Sequence, residues 1–226
     1  MFVQTIVCFA NSRKNSNRCV AGKTWSRAGR GDWIRPVCRG ESRAIRPALL
    51  TYPDGAQPTP LDIVQIPVDA ALPEGHQREN VLLSERHSWV KTGRLDWREI
   101  GDWLDAPRQL WTLNEQSRGM LNNRVSSGRV TGSSLQLISV PTLHLRQVEM
   151  ARPHAPPARV VVGEFVYHGV SYRLHVTDTL IEDLCRHQRS GMMNISRAVL
   201  CVSLGECFLE NHYKLIAGVL FEGRST

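Results

Sequence analysis

Apolar and polar positions alternate most clearly in the second half of the chain. Over residues 135–149 the apolar side chains fall at 135, 137, 140, 143, 145 and 148, with Pro141 between them. This spacing predicts a long strand bent or broken near the proline. Residues 152–157 hold three prolines and read as a turn. Residues 159–167 are rich in β-branched side chains and residues 170–176 alternate, so a two-residue hairpin turn is expected at His168-Gly169. Thr179-Leu-Ile-Glu182 has the S/T-x-x-E form of a capping box. It predicts a helix with Leu180, Ile181, Leu184 and Cys185 on one stripe, ending near Ser190-Gly191. A buried strand follows at 198–204, broken by Gly205, and a last one at 213–221. Three strands, one helix and two strands is the order of an OB barrel.

The first half carries a weaker pattern. Strands are expected at residues 2–9, 18–21 and 33–37, and at 61–68, where apolar residues sit at 61, 64, 66 and 68. Asp96-Trp-Arg-Glu99 is a second capping sequence, and the helix after it places Trp97, Ile100, Trp103 and Leu104 on one face. Gly128, Gly132 and four serines cluster between Arg124 and Ser134. The expectation is a mainly β protein of two OB-like five-stranded barrels with a few short helices: a basic N-terminal domain over 1–128 and a C-terminal domain over 129–226.

Charge sharpens this picture. Residues 1–60 contain ten Lys or Arg against three acids, while the remaining 166 residues balance at eighteen of each. The whole net charge of +7 thus belongs to the first quarter. Local excess of one sign is what attracts phosphates, although a solvated basic face gives the same count. All six tryptophans (25, 33, 89, 97, 103 and 111) also lie in the first half. Aromatics interleaved with cations form a stacking platform for unpaired bases. Trp25 and Trp33, flanked by Arg27, Arg30 and Arg35, are the candidates; Trp97 and Trp103 read as helix core.

The six cysteines divide three and three between the halves, with no C-x-x-C and no closely spaced histidine pair. That argues against a disulfide framework within each domain and against a zinc site, and leaves buried reduced thiols. No apolar run approaches the length that spans a bilayer, and the basic residues follow the apolar start rather than precede it. A soluble cytoplasmic protein, with no membrane association, is expected.

Several segments stand out together: Cys8-Phe-Ala-Asn11-Ser12-Arg13-Lys14, Arg18-Cys19-Val20-Ala21-Gly22-Lys23 and Asp32-Trp33-Ile34-Arg35-Pro36-Val37, with Tyr172-Arg173-Leu174 and Val176-Thr177-Asp178 later. Near the C-terminus come Val202-Ser203-Leu204-Gly205-Glu206 and Tyr213-Lys214-Leu215-Ile216-Ala217. In this order they resemble the dual OB-containing domain family of prokaryotic proteins. The resemblance implies two OB folds and an association with defence or conflict genes, hence a protein partner from a defence operon. The stretch Cys207-Phe-Leu-Glu210 departs from the family pattern.

Asn11, Ser12, Arg13 and Lys14 follow the first strand directly and are expected in a loop at a barrel mouth, shared with Arg18, Lys23 and Arg35. An amide, a hydroxyl and cations suit phosphate or sugar hydroxyls; alternatively Asn11 and Ser12 cap the turn and the cations are solvated. No Walker loop, G-x-G-x-x-G or G-x-S-x-G occurs. Cys207 with His212 is the one candidate nucleophile–base pair. The reading is a non-catalytic module, without cofactor or metal, for nucleic acid (single strands or ends). One alternative is a sensor of a nucleotide or modified base lodged between the barrels, and another is a nucleotide-acting enzyme.

Overall fold

The computed structural model describes residues 1–26, 29–117, 119–152, 155–188 and 191–224. Arg27 and Ser190, singled out above, lie outside the described residues, as do residues 153–154 of the stretch expected as a proline turn. Contacts divide the chain into two units. The first holds Met1–Leu104, Gly132–Leu135 and the C-terminal residues from Glu222; the second holds Asp105–Thr131 and Gln136–Phe221. The boundary expected at 128/129 falls between the first crossing and the brief return.

In the first unit, β1 (Phe2–Lys14), β2 (Asn17–Ser26), β3 (Gly29–Val37), β4 (Asp62–Ala71) and β5 (Asn80–Leu83) close a ring in the order β1-β2-β3-β5-β4-β1. Only β3–β5 is parallel in that ring; the other pairs are antiparallel. β6 (Val90–Arg94) adds to β4. Closure leaves no free edge within the ring, which is how a small all-β unit protects its backbone groups. Alternation sends Ile6, Cys8, Val20, Val64, Ile66 and Val68 into one buried core with Trp89. The second capping sequence does start a helix: the Asp96 carboxylate accepts from Arg98 N, and a 3-10 helix runs over Trp97–Trp103 with Ile100 and Trp103 buried.

The second unit repeats the plan. β7 (Arg124–Ser126), β8 (Leu135–Arg152), β9 (Ala155–Tyr167), β10 (Val170–Val176), α1 (Thr179–His187), β11 (Met192–Phe208) and β12 (Asn211–Leu220) follow in chain order. The ring is β8-β9-β10-β12-β11-β8, with β10–β12 parallel and α1 between the third and fourth strands. Its core gathers Leu143, Leu145, Tyr172, Leu174, Leu200 and Ile216, with Trp111 packed among them. At Gly163 an added Cβ would come within 2.5 Å of Ile216 Cδ1, so a larger residue there would have to displace that core side chain. The turn at His168-Gly169 forms where expected, both residues having positive φ (46° and 78°), as a tight hairpin demands.

Four expectations need correction. β8 continues through Pro141 as one strand, its ladder with β9 beginning two residues later at Leu143. β11 likewise runs through Gly205, with a bulge between Leu204 and Cys207 absorbing the irregularity. The N-cap of α1 is Asp178 rather than Thr179: its carboxylate accepts from Leu180 N at 3.1 Å and Ile181 N at 3.3 Å. The second oxygen of Asp178 accepts from Val219 N at 2.9 Å, so a partner on β12 selects this residue as the cap. Finally β1 does not end at Phe9 but extends to Lys14.

Candidate functional site

That longer strand changes the meaning of the residues at its end. Asn11 and Ser12 are not loop residues; they pair with Val20 and Cys19 across the β1–β2 ladder and are buried. Asn11 Nδ2 donates to Pro58 O at 2.9 Å and Ser12 Oγ to Cys19 O at 3.1 Å. Both side chains tie strands and loops of the barrel to one another. The cations divide into those packed inside the fold and those nearer its surface.

Lys23 and Trp33 belong to the first group. The register sets Val7, Lys23 and Trp33 side by side on the outer face of β1–β2–β3. The helix at Trp97–Trp103 covers this row: Lys23 Nζ donates to Trp103 O at 2.7 Å and lies 5.0 Å from the Trp33 ring. Phe9 completes the cluster, its ring centroid 5.5 Å from Trp103 and 6.0 Å from Trp33. Trp33 is thereby only 8% exposed and cannot offer a face to a base. Strands two and three are where OB barrels commonly take ligands; here the chain's own helix occupies that face.

Arg35 is packed inside too. Its guanidinium lies 3.3 Å from the Glu79 carboxylate, with side-chain exposures of 3% and 5%. It also donates to Ser134 Oγ at 2.8 Å, and that hydroxyl in turn hydrogen-bonds Glu79. A buried arginine so paired has no charge to spare for a phosphate. Arg43 and Arg46 meet Glu74 and Glu85 at 3.0 and 2.9 Å. Acids from beyond residue 60 therefore offset part of the charge that the first quarter carries.

Three cations lie together at the end of hairpin β1–β2. Arg13 lies directly opposite Arg18, and Lys14 opposite Asn17, around the turn at Asn15-Ser16. Arg13 is exposed, and Lys14 and Arg18 are half-buried. The Arg18 backbone is held by Ile45 through reciprocal hydrogen bonds of 2.9 and 2.8 Å, which anchors the turn end of the hairpin. Trp25, 39% exposed, pairs with Arg30 at the other end of β2. At ~3.3 Å per strand residue Arg18 and Trp25 stand roughly 23 Å apart along β2. The expected platform of cations and tryptophans is thus split in two.

Residues 4–219 match the family model described as the dual OB-containing domain. The chain belongs to this family. The dual OB assignment agrees with two rings of the same strand order, and it points to a binding module as the coarse functional class. Among curated proteins none matches the chain.

In the second barrel of this dual OB protein, Lys214 is the most unusual group. It is 1% exposed, donates to Thr112 O at 2.6 Å and lies 5.6 Å from the Tyr172 ring. Burial brings its pKa down to about 8, against a smaller upward pull from Glu115. Cys207 and His212 are cross-strand partners, the thiol exposed and the ring buried with Nδ1 2.9 Å from Gly205 O. Cys8, Cys38, Cys185 and Cys201 are buried free thiols, as expected. Burial and the nearby Glu85 carboxylate push Cys38 up to about 11, which keeps it protonated and inert. No helix among the described residues is long and apolar enough to cross a membrane.

Proposed function

We propose that the chain is a non-catalytic binding module for single-stranded nucleic acid, engaged through hairpin β1–β2 of the first barrel. The observation that carries this reading is the cross-strand placement of Arg13 against Arg18 with Lys14 beside them. Three cations on one rigid hairpin suit successive phosphates better than a lone ion. An accessory role in a prokaryotic defence system is the setting that family membership suggests, and a protein partner belongs to the same proposal.

Fluorescence anisotropy of a labelled single-stranded oligonucleotide across a salt series tests it. Each neutralised phosphate contributes about 0.7 to the slope of log K against log salt. Arg13→Ala with Lys14→Ala should therefore flatten the slope by about 1.4 and leave the melting temperature within a degree or two, since charges with access to solvent add little stability. A slope equal to that of the native chain, or affinity indifferent to salt, overturns the reading.

A further inference from the structure

The second unit holds a pocket of about 250 Å³. Its lining is drawn from five places in the sequence: Met120 and Asn123 ahead of β8, Met150 on β8, His175 on β10, Phe208 at the end of β11 and Tyr213 on β12. Three rings and two thioethers make flat, polarisable walls. The volume is below that of a drug-sized site and matches one planar heterocycle.

The polar side of the lining is equally selective. Asn123 is buried, donates from Nδ2 to Ser117 Oγ at 3.2 Å and accepts at Oδ1 from Ser117 N at 3.0 Å. Those bonds hold the amide still and leave it one N–H and one lone pair, a donor beside an acceptor, as the edge of a base requires. Arg124 does not line the pocket but follows Asn123 in sequence and stands directly across the ladder from Tyr213, on the same face of the sheet. Its Nε is buried with no hydrogen-bond partner among the described residues, an unmet donor that a phosphate would satisfy. Phe208, by contrast, is 60% exposed, although a large apolar ring ordinarily packs away from water. It belongs to the Cys207–Glu210 stretch that departs from the family pattern.

We propose that this pocket holds one unpaired nucleobase, stacked on Phe208, read at its edge by Asn123 and attended by Arg124 at its phosphate. The site lies wholly within the second unit and needs none of the cations on hairpin β1–β2. Either the end of a strand or a free nucleotide supplies the same chemistry.

Two probes separate those sources: 2-aminopurine nucleoside monophosphate, and a short single strand with one 2-aminopurine at its end. Stacking quenches the fluorescence of this base, so titration with the full chain reads occupancy directly. Saturable quenching is expected, weakened about tenfold by Phe208→Ala and retained by Phe208→Trp, as for loss and rescue of one stack. Because Phe208 is exposed, neither change threatens the fold. Equal affinity for both probes assigns the pocket to free nucleotides, and tighter binding of the strand assigns it to strand ends. Quenching that is absent for both probes, or unchanged in Phe208→Ala, overturns the inference. If that happens while Arg13→Ala with Lys14→Ala still flattens the salt slope, only the pocket fails. The reverse pattern removes the hairpin and leaves the pocket.

Discussion

Replacing Lys214 by methionine keeps most of the side-chain volume and removes the one ionisable amine inside the second barrel wall. The native amine titrates near pH 8 instead of its ordinary 10.5 because burial penalises the ammonium. The gap amounts to about 3 kcal/mol at roughly 1.4 kcal/mol per pH unit. With the native pKa below that of the unfolded chain, the unfolded state binds more protons between the two values. Stability contributed at this site is therefore lowest and constant below pH 8, and it rises with pH until about 10.5. The side chain is 1% exposed, so solvent screens little of this effect. Urea denaturation of the native chain and Lys214→Met, at several pH values across that window, gives two curves whose difference isolates the amine. Every other group titrates alike in both proteins and cancels. The absolute difference at neutral pH mixes relief of the buried charge with an orphaned Thr112 carbonyl, so the pH dependence is the decisive reading. Native stability should gain about 3 kcal/mol on the variant through the window. Parallel curves would refute a desolvated, titrating Lys214.

Two further substitutions probe the frame that places the candidate sites. Glu79→Ala strips a buried arginine of its partner and should cost about 3–5 kcal/mol, read from the urea midpoint; a loss under 1 kcal/mol would mean that water reaches Arg35. Asp178→Ala removes two cap bonds and the acceptor for Val219 N, a loss of roughly 2–4 kcal/mol. Amide exchange should quicken at Leu180, Ile181 and Val219 together, and acceleration confined to the helix would assign Asp178 a capping role alone.

Much of the second barrel was legible because its alternation is long and its hairpin turn is only two residues, so register and face follow from period alone. The cap of α1 was misplaced by one position for a reason local pattern cannot contain: the oxygen that decides it bonds a strand 41 residues away. The same limitation governed the candidate site. Counting charge in the first sixty residues treats neighbours in sequence as neighbours in space. Glu74, Glu79 and Glu85 lie outside that window yet meet Arg43, Arg35 and Arg46. Lys23 reaches a carbonyl 80 residues on, and Arg35 a hydroxyl 99 residues on. Arg13, Lys14 and Arg18, adjacent through a hairpin, keep in space the proximity they have in sequence. The pocket of the second barrel had one trace in the sequence, the irregular Cys207–Glu210 stretch; its other walls are too dispersed to form a motif.

The return of Gly132–Leu135 to the first unit bears on how the molecule is made. Ser134 sits among Arg35 and Glu79, so the earlier barrel cannot complete that polar cluster until the ribosome has moved well past Leu104. Domains usually mature in the order of their synthesis. In this chain the barrel that begins first waits for a serine encoded after the crossing into the second unit. A fragment ending at Leu104 would retain every strand of the first ring and the Arg35–Glu79 pair, yet lack the hydroxyl that bonds to both.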